Sequence, residues 1–315
     1  MKVLITGGAG FIGTNVALAF AAEGHEVDVV DNFSRTEANR HLLESSRHIR
    51  VHEDDVTVAD FLRYLCGTEL VVHAAAQAAV THSLVDPLED FYDNGLGTLN
   101  LLEACRGLPF PPHVVYLSTN KVYGPLLGNT SPVSEASPLD PCTPYGCSKA
   151  VGDIYVRDYA RIFNLPTTVF RMSCIYGGHQ YGDTHQGWAA HFMRAALAGD
   201  EIVVYGDGEQ VRDLLHVDDL IRAIKAAHAD VESGDRVFNL GGGPARAISV
   251  NGLLAWIRAQ GVEPVVRYES SPRAGDQHFY VSDCEKFGAA TGWVPEVRLE
   301  DGLRRLWDWC VSVRG

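Results

Sequence analysis

Tyr145 and Lys149 stand four residues apart in a stretch whose sequence predicts a helix. Residues with this spacing lie on one face of a helix, one turn from each other. An ammonium beside a phenol favours the phenolate, so the spacing predicts that Lys149 lowers the pKa of Tyr145 towards neutrality. A phenolate is the proton acceptor needed to oxidise an alcohol by hydride loss. The pair alone is a weak signal, because helix faces often carry a tyrosine and a lysine as plain surface packing.

The residues around the pair predict how it is positioned. Thr143 suits the N-cap of a helix and Pro144 its first position, and the helical pattern continues to about residue 164. Upstream, Ser118 and Thr119 end an apolar run that predicts a strand. The end of this strand can therefore face the first turns of the helix.

A glycine-rich turn follows the first apolar run of the chain. Gly7, Gly10 and Gly13 lie between a predicted strand and a predicted helix, and the next predicted strand ends in Asp31. This order of strand, glycine turn, helix, strand and acid is typical of a dinucleotide-binding unit. Gly7 and Gly10 would let the backbone approach a pyrophosphate, and Gly13 would let the helix pack on the sheet.

The acid at the end of the second strand favours NAD over NADP. A carboxylate at Asp31 accepts a hydrogen bond from the ribose 2′-hydroxyl and repels a 2′-phosphate. Arg35, four residues later, is the counter-signal, and we interpret it as a surface residue or one that packs near the adenine.

Strand and helix patterns alternate through the first half of the chain. Predicted strands at 49–53 and 70–74 flank a helix near 58–66, and a long helix at 87–106 follows. Such alternation predicts the α/β class, with a doubly wound parallel sheet of the Rossmann kind and ligands at the carboxyl ends of its strands. Candidate ligand contacts past these ends include Asp55-Val56, Ala74–Ala76, Asn94 and Ser118-Thr119.

The second half predicts a smaller α/β lobe that binds the substrate. We expect residues 1–176 to form the nucleotide-binding domain, completed by segments near 210–245, with residues 177–315 as the interleaved lobe. Arg212 and Arg273 are its candidate anion-binding residues, because a guanidinium forks onto phosphate oxygens. The alternatives are a local pair of Arg212 with Asp213 and a solvated loop in which Arg273 stands beside Asp276.

Composition excludes several classes of partner. A net charge of −14 argues against a nucleic-acid-binding protein, which needs a basic face. Seven cysteines form no Cys-x-x-Cys pair, so free thiols in a reducing cytoplasm are expected and a metal site is not. No apolar stretch approaches the roughly 20 residues of a membrane span, so no membrane partner is expected.

Seven segments together resemble the extended short-chain dehydrogenase/reductases, specifically the NAD-dependent sugar-nucleotide epimerase/dehydratase family. They are residues 6–13, 31–32, 55–56, 118–124, 144–149, 212–219 and 272–276. The resemblance implies a catalytic triad of Thr119, Tyr145 and Lys149. The cofactor contacts expected for NAD are Gly7, Gly10, Phe11, Ile12, Gly13, Asp31, Asn32, Ser34, Arg35, Asp55, Val56, Ala74, Ala75, Ala76, Asn94, Ser118, Tyr145, Lys149 and Met172. The expected contacts of a nucleotide-sugar substrate are Gln77, Thr119, Asn120, Ser173, His179, Gln186, Trp188, Arg212, Arg273 and Asp276.

One departure from the family pattern indicates the reaction class. The 4,6-dehydratases look like Thr-Asp-Glu after this strand, and the uronate decarboxylases carry a glutamate nearby, whereas Thr119 is followed here by Asn120 and Lys121. The acids that assist elimination are missing, which favours epimerisation. The segments at 118–124, 144–149, 158–163, 176–178 and 186–188 resemble the CDP-tyvelose (CDP-paratose) 2-epimerase branch more than the UDP-galactose 4-epimerases.

Three other functions are compatible with the same residues. A UDP-hexose or UDP-hexuronate 4-epimerase is the main alternative within the family. A non-catalytic NAD(H)-binding redox sensor keeps the fold but commonly looks degraded at the tyrosine or the lysine, and an unrelated alcohol dehydrogenase would release NADH. Family members often pair through two long helices, so a homodimer or homotetramer through 87–106 and 145–164 is expected.

Overall fold

The computed structural model describes residues 1–230, 236–271, 273 and 275–314. Its strands are β1 (Lys2–Thr6), β2 (Glu26–Asp31), β3 (Ile49–Glu53), β4 (Leu70–His73), β5 (His113–Thr119), β6 (Thr167–Met172), β7 (Cys174–Tyr176), β8 (Glu201–Tyr205), β9 (Val211–His216), β10 (Val237–Leu240), β11 (Ala247–Ser249), β12 (Val265–Glu269) and β13 (Phe279–Tyr280). Its α-helices are α1 (Phe11–Ala22), α2 (Arg40–Glu44), α3 (Leu62–Leu65), α4 (Val80–Ser83), α5 (Pro87–Phe91), α6 (Gly97–Arg106), α7 (Pro144–Phe163), α8 (Trp188–Ala198), α9 (Val217–Ala229), α10 (Val250–Ala259), α11 (Glu285–Thr291) and α12 (Leu299–Ser312).

A seven-stranded parallel sheet confirms the predicted fold class. Its strand order is β10-β6-β5-β4-β1-β2-β3, so the winding direction reverses between β1 and β4. Both faces are covered: on one face Val16 of α1 and Leu220 of α9 pack against Ile5, and on the other Leu101 of α6 packs with Leu4. A doubly wound sheet of this kind binds ligands at the carboxyl edge, near the reversal.

The second lobe is built from short strands and three packed helices. β9 pairs with β7, β11 and β13, and β8 pairs with β12. Helices α8, α10 and α12 enclose a separate core that includes Met193, Leu253 and Trp307. The chain crosses between the lobes more than once, because β10 pairs with β6 of the central sheet.

Helix α7 begins where its capping residues predict. Thr143 accepts a hydrogen bond from the Gly146 N–H at 3.1 Å, Pro144 occupies the first turn, and Asn164 ends the helix in the left-handed conformation at φ 53°. Among the described helices, none is long and apolar enough to cross a membrane.

Two helix predictions differ from the structure. The helix expected near 58–66 is only the single turn of α3, because hydrogen-bonded turns after Asp55 precede it and Gly67 follows at φ 70°. The helix expected at 87–106 is interrupted by a π-helical turn, Tyr92–Leu96. This turn carries Asn94 towards Ser148 of α7, and such insertions often mark functional sites.

Buried histidines should make the fold sensitive to acid. Burial lowers the pKa of His113, which stacks on His228, from 6.5 to about 3, and the pKa of His73 to about 3 as well. Between these values the unfolded chain binds protons that the native state does not, so stability should fall with pH below 6.5, by roughly 1.4 kcal/mol per pH unit per histidine. The free energy of unfolding, measured with urea at each pH across this range, should depend less steeply on pH in His113→Leu. The difference in slope should correspond to about one proton. An unchanged slope would contradict the prediction.

Candidate active site

A cavity of about 550 Å³ opens at the carboxyl edge of the central sheet. Its wall includes the ends of three strands, through Val30 of β2, Leu117 of β5 and Met172 of β6. The glycine turn and the first turns of α7 complete it, so residues far apart in the sequence meet here. The wall contains predicted cofactor contacts from every part of the first domain: Gly7, Gly10, Phe11, Ile12, Gly13, Asp31, Asn32, Ser34, Arg35, Val56, Ala74, Ala75, Ala76, Ser118, Tyr145, Lys149 and Met172.

The three glycines of the turn are required for two different reasons. Gly7 has φ +66°, and a Cβ there would meet the backbone of Ala75 at 2.6 Å, while a Cβ at Gly13 would meet the Gly7 carbonyl at 2.3 Å. Gly10 has an ordinary φ of −69°, and its added Cβ would find only the Gly7 oxygen, at 3.3 Å. The protein's own packing explains Gly7 and Gly13. Gly10 lines the cavity, so a Cβ there would take up space beside the turn. A glycine at this position therefore fits a dinucleotide pyrophosphate bound against the turn.

Asp31 is held in the wall by the backbone of the glycine turn. Its carboxylate accepts hydrogen bonds from the Ala9 N–H at 2.9 Å and the Phe33 N–H at 2.8 Å. Burial raises the pKa of this carboxyl, and these hydrogen bonds act in the opposite direction. The residue thus presents a fixed acceptor at the position where a ribose 2′-hydroxyl is expected.

Arg35 is not free to receive a 2′-phosphate. Its guanidinium donates to Gln186 Oε1 at 2.9 Å and lies 3.7 Å from the carboxylate of Asp183. Both partners belong to the second lobe, so the arginine spans the mouth of the cavity. Because these contacts occupy the Arg35 guanidinium, they agree with the preference for NAD over NADP that Asp31 predicts.

Tyr145, Lys149 and Thr119 come together beside this cavity. Tyr145 and Lys149 lie in its wall, and the Lys149 ammonium stands 4.3 Å from the ring centroid of Tyr116. The Thr119 side chain contacts the Tyr145 phenol and lowers its pKa. A phenol, a hydroxyl and an ammonium at the edge of a nucleotide cavity can together move a proton to or from a bound alcohol.

The expectation that Lys149 makes Tyr145 acidic is wrong for the chain by itself. Burial raises the pKa of Tyr145 to about 12, and burial lowers the pKa of Lys149 to about 7. Desolvation disfavours both charged forms, and here it outweighs the opposite charges nearby. The carboxylates of Asp153 and Asp90 act in the opposite direction on Lys149.

Two predicted cofactor contacts lie behind the wall. Asp55 accepts from the Thr57 N–H at 2.8 Å and from Asn32 Nδ2 at 2.9 Å, and its neighbour Asp54 lines the cavity instead. Asn94 is fully buried and donates to Ser148 Oγ at 2.9 Å, so it braces α7. Both side chains shape the cavity through other residues.

A second cavity of about 310 Å³ adjoins the first. The two share Thr81, Asp183, His185 and Gln186 in their walls. The second is lined by six of the predicted substrate contacts, namely Asn120, Gln186, Trp188, Arg212, Arg273 and Asp276. A ligand that fills both cavities would place one end against Tyr145 and the other among the arginines.

The arginines of the second cavity have different partners from those the sequence suggested. Arg212 pairs with Asp276 at 2.6 Å rather than with Asp213, whose carboxylate accepts from backbone N–H groups. Arg273 donates to the carbonyl of Thr184, and its guanidinium lies 5.0 Å from the ring centroid of Tyr205. The alternative pairing of Arg212 with Asp213 is therefore wrong.

Three predicted substrate contacts have other roles. Ser173 donates to Asp213, and it is buried outside both cavity walls. His179 packs its ring edge-on against Trp309 at 6.1 Å, so it belongs to the contact between the lobes. Gln77 lies in the wall of the first cavity, where it donates to the Ala79 carbonyl at 2.9 Å.

Sequence reasoning missed several residues of the second cavity. Lys121 and Tyr205 lie in its wall, as do His191 and Gln210. Tyr205 ends strand β8, so the rule that ligands gather past strand ends could have found it. In the sequence, Lys121 is distinctive only because it stands where the 4,6-dehydratases carry a glutamate, and that pattern does not predict a contact with the substrate.

Comparisons with known proteins agree with this arrangement. The model of the NAD dependent epimerase/dehydratase family matches residues 3–241. The CDP-paratose 2-epimerase of Salmonella typhi is 37% identical, over 99% of this chain and 100% of that protein.

Solved structures are similar over the whole chain. The UDP-glucose 4-epimerase of Thermotoga maritima with UDP-glucose superposes with a TM-score of 0.89 at 33% identity, covering 100% of both chains. The UDP-glucuronic acid 4-epimerase of Bacillus cereus, solved with UDP-glucuronic acid and NAD, superposes with a TM-score of 0.89 at 27% identity, covering 99% of this chain and 100% of that one.

These relatives bear out the enzyme class and the cofactor expected from the sequence. NAD supplies the hydride acceptor and donor of this family, and the glycine turn and Asp31 are the residues that would hold it. The chain belongs to the NAD-dependent epimerase/dehydratase family, within the extended short-chain dehydrogenase/reductases.

Proposed function

We propose that this enzyme epimerises a nucleotide-activated sugar, by transient oxidation to a keto-sugar and reduction on the opposite face. The observation that carries the proposal is that Tyr145 and Lys149 share the wall of the first cavity, with the Thr119 side chain in contact with the Tyr145 phenol. In this proposal residues 1–176 hold the cofactor and residues 177–315 supply most of the substrate contacts. The substrate class in this proposal is a CDP-sugar inverted at C2, supported by the 37% identity with a CDP-paratose 2-epimerase.

The three residues of the triad have different tasks in this mechanism. Tyr145 takes the proton of the sugar hydroxyl and returns it after the keto-sugar has turned. Thr119 orients the reacting oxygen and hydrogen-bonds the phenol. Lys149 holds the nicotinamide ribose, and its charge together with that of the oxidised nicotinamide opposes the desolvation that raises the pKa of Tyr145 to about 12.

The residues after Thr119 favour epimerisation over water elimination. Asn120 donates to Gln277 Oε1 at 2.8 Å, and Lys121 donates to the Gly275 carbonyl at 3.0 Å. Elimination needs an acid and a base at the neighbouring carbons, and neither residue supplies a carboxylate. Oxidation and re-reduction need only the triad and the cofactor.

A product assay tests the proposal. The purified protein is incubated with CDP-paratose, CDP-glucose, UDP-glucose and UDP-glucuronic acid, and NMR identifies which carbon inverts. Inversion at C2 of a CDP-sugar without NADH accumulation supports the proposal. Steady NADH release would instead identify an alcohol dehydrogenase, and tight NAD binding with no turnover of any sugar would identify a redox-sensing binder.

A UDP-sugar 4-epimerase is the second candidate. It is supported by the similarity to solved UDP-glucose and UDP-glucuronic acid 4-epimerases over nearly the whole chain. Inversion at C4 of UDP-glucose or UDP-glucuronic acid in the same assay would establish it.

We also propose that two copies of the chain pair through α5–α6 and α7. These helices are in contact and expose apolar side chains, which are Leu88, Phe91, Tyr92, Leu96, Ile154, Tyr155, Ile162 and Phe163. An apolar surface of this extent is typical of a protein interface, and a two-fold pairing would cover it from both sides.

A charge placed on this surface should separate the copies. Ile154→Asp buries an unpaired carboxylate in the proposed interface, so light scattering after size exclusion should change from a dimer to a monomer at micromolar concentration. Val311→Asp on α12 is the control, since its exposure of 49% resembles the 53% of Ile154. A wild-type monomer, or a dimer that survives Ile154→Asp, would contradict this pairing.

A further inference from the structure

Lys121 is a charged residue in the wall of the second cavity whose role the triad does not explain. It lies in the 3-10 turn after β5, and its side chain is 19% exposed. Its ammonium donates to the Gly275 carbonyl at 3.0 Å and stands 3.9 Å from Asp276 Oδ1. A largely buried ammonium requires partners, and the partners described here are few.

The backbone ties Lys121 to the reacting end of the site. Its N–H donates to Thr119 Oγ1 at 3.3 Å. Thr119 in turn contacts the Tyr145 phenol. Lys121 is therefore linked through its backbone to the proposed triad, and it shares the wall of the second cavity with Arg212.

Around Lys121, two positively charged side chains, those of Lys121 and Arg212, face the single carboxylate of Asp276. The carboxylate of Asp276 is held by Arg212 at 2.6 Å and by the Gln277 N–H at 3.0 Å, so it is only a distant partner for Lys121. An ammonium has three N–H donors, and the Gly275 carbonyl takes one. The others are available to oxygen atoms of a ligand in the cavity.

We infer that Lys121 is a substrate-positioning residue whose ammonium binds hydroxyl oxygens of the sugar between Thr119 and Arg212. The planar guanidinium of Arg212 suits diphosphate oxygens, whereas the compact ammonium of Lys121, a residue whose backbone is hydrogen-bonded to Thr119, suits a sugar hydroxyl. The inference rests on the proposed function, because it requires a nucleotide sugar that spans both cavities.

The environment of Lys121 gives its binding a pH dependence. Burial and the nearby Arg212 lower the pKa of Lys121 to about 8, while Asp276 on the facing loop, Cys174 of β7 and Cys142 before α7 act in the opposite direction. Above this pH the residue loses its charge. Affinity for the sugar should therefore decline as the pH rises from 7 to 9.

Calorimetric titration with CDP-paratose and with CDP separates sugar binding from nucleotide binding. Lys121→Met should weaken CDP-paratose binding by roughly 10–100-fold, the range of a hydrogen bond to a charged group, and leave CDP binding within about 3-fold. Lys121→Arg keeps the charge and should recover part of the loss. Lys225→Met is the matched control, because Lys225 pairs with Glu23 outside both cavities.

The pH series distinguishes positioning from a structural role. Wild-type affinity for CDP-paratose should fall between pH 7 and 9 by clearly more than that of Lys121→Met, since Lys149, with a pKa of about 7, titrates in both proteins. Equal losses for CDP and CDP-paratose, or no loss for either, would overturn the inference while the proposed function stands. A wild-type protein that binds none of the CDP- or UDP-sugars would overturn the proposed function as well.

Discussion

Tyr145→Phe is expected to reduce epimerase turnover by about 10²–10⁴-fold, the usual contribution of a positioned general acid or base. The substitution removes only the phenolic oxygen, which touches Thr119 and faces the cofactor cavity. Bound NAD, measured after acid extraction, and affinity for the nucleotide sugar should stay within a few-fold of wild type. The loss should therefore appear in kcat rather than in KM.

Tyr268→Phe is the matched control for this variant. Tyr268 lies on β12, outside both cavity walls and outside the proposed pairing surface, and it is 53% exposed, so its substitution should leave turnover unchanged. A Tyr145→Phe enzyme within a few-fold of wild type would show that another group moves the proton.

Gly10→Val is expected to release the cofactor from an otherwise folded protein. Gly10 has φ −69°, which suits any residue, and its Cβ meets only the Gly7 carbonyl oxygen, at 3.3 Å. The rest of the added isopropyl group would occupy the cavity. Overpacking of about 1–3 kcal/mol corresponds to a loss of NAD affinity of roughly 5–150-fold.

Gly107→Val separates this effect from a general cost of replacing glycine. Gly107 also has a negative φ, −72°, and its added Cβ would meet nothing nearer than 3.6 Å. It should keep its NAD, measured per protein by absorbance and acid extraction, whereas Gly10→Val should not. Wild-type NAD content in Gly10→Val would mean that the glycine serves only the turn.

Local pattern was enough to predict the nucleotide-binding half. The glycine turn, Asp31 and the cap at Thr143 each depend on a few neighbouring residues, so spacing along the chain was sufficient. The same holds for the parallel sheet, because alternating strands and helices leave few ways to cover two apolar faces.

The second lobe could not be predicted to the same depth. The pairing of Arg212 with Asp276 joins residues 64 positions apart, and no local pattern distinguishes it from a pair with the adjacent Asp213. Ser173 and His179 follow a strand end, as ligand contacts often do, yet their side chains turn into protein packing. Side-chain direction past a strand end depends on contacts that form only in the folded chain.

By itself, the sequence determined the family and the cofactor, and it predicted the three residues of the proposed triad, because each of these is marked by residue type and short spacing. Only the tertiary structure decided the pKa values of the ionisable groups in the site. Burial raises the Tyr145 pKa to about 12 and lowers that of Lys149 to about 7. The folded chain also brings Lys121 into the wall of the second cavity. Desolvation depends on everything that surrounds a group in space, so no spacing along a chain reveals it.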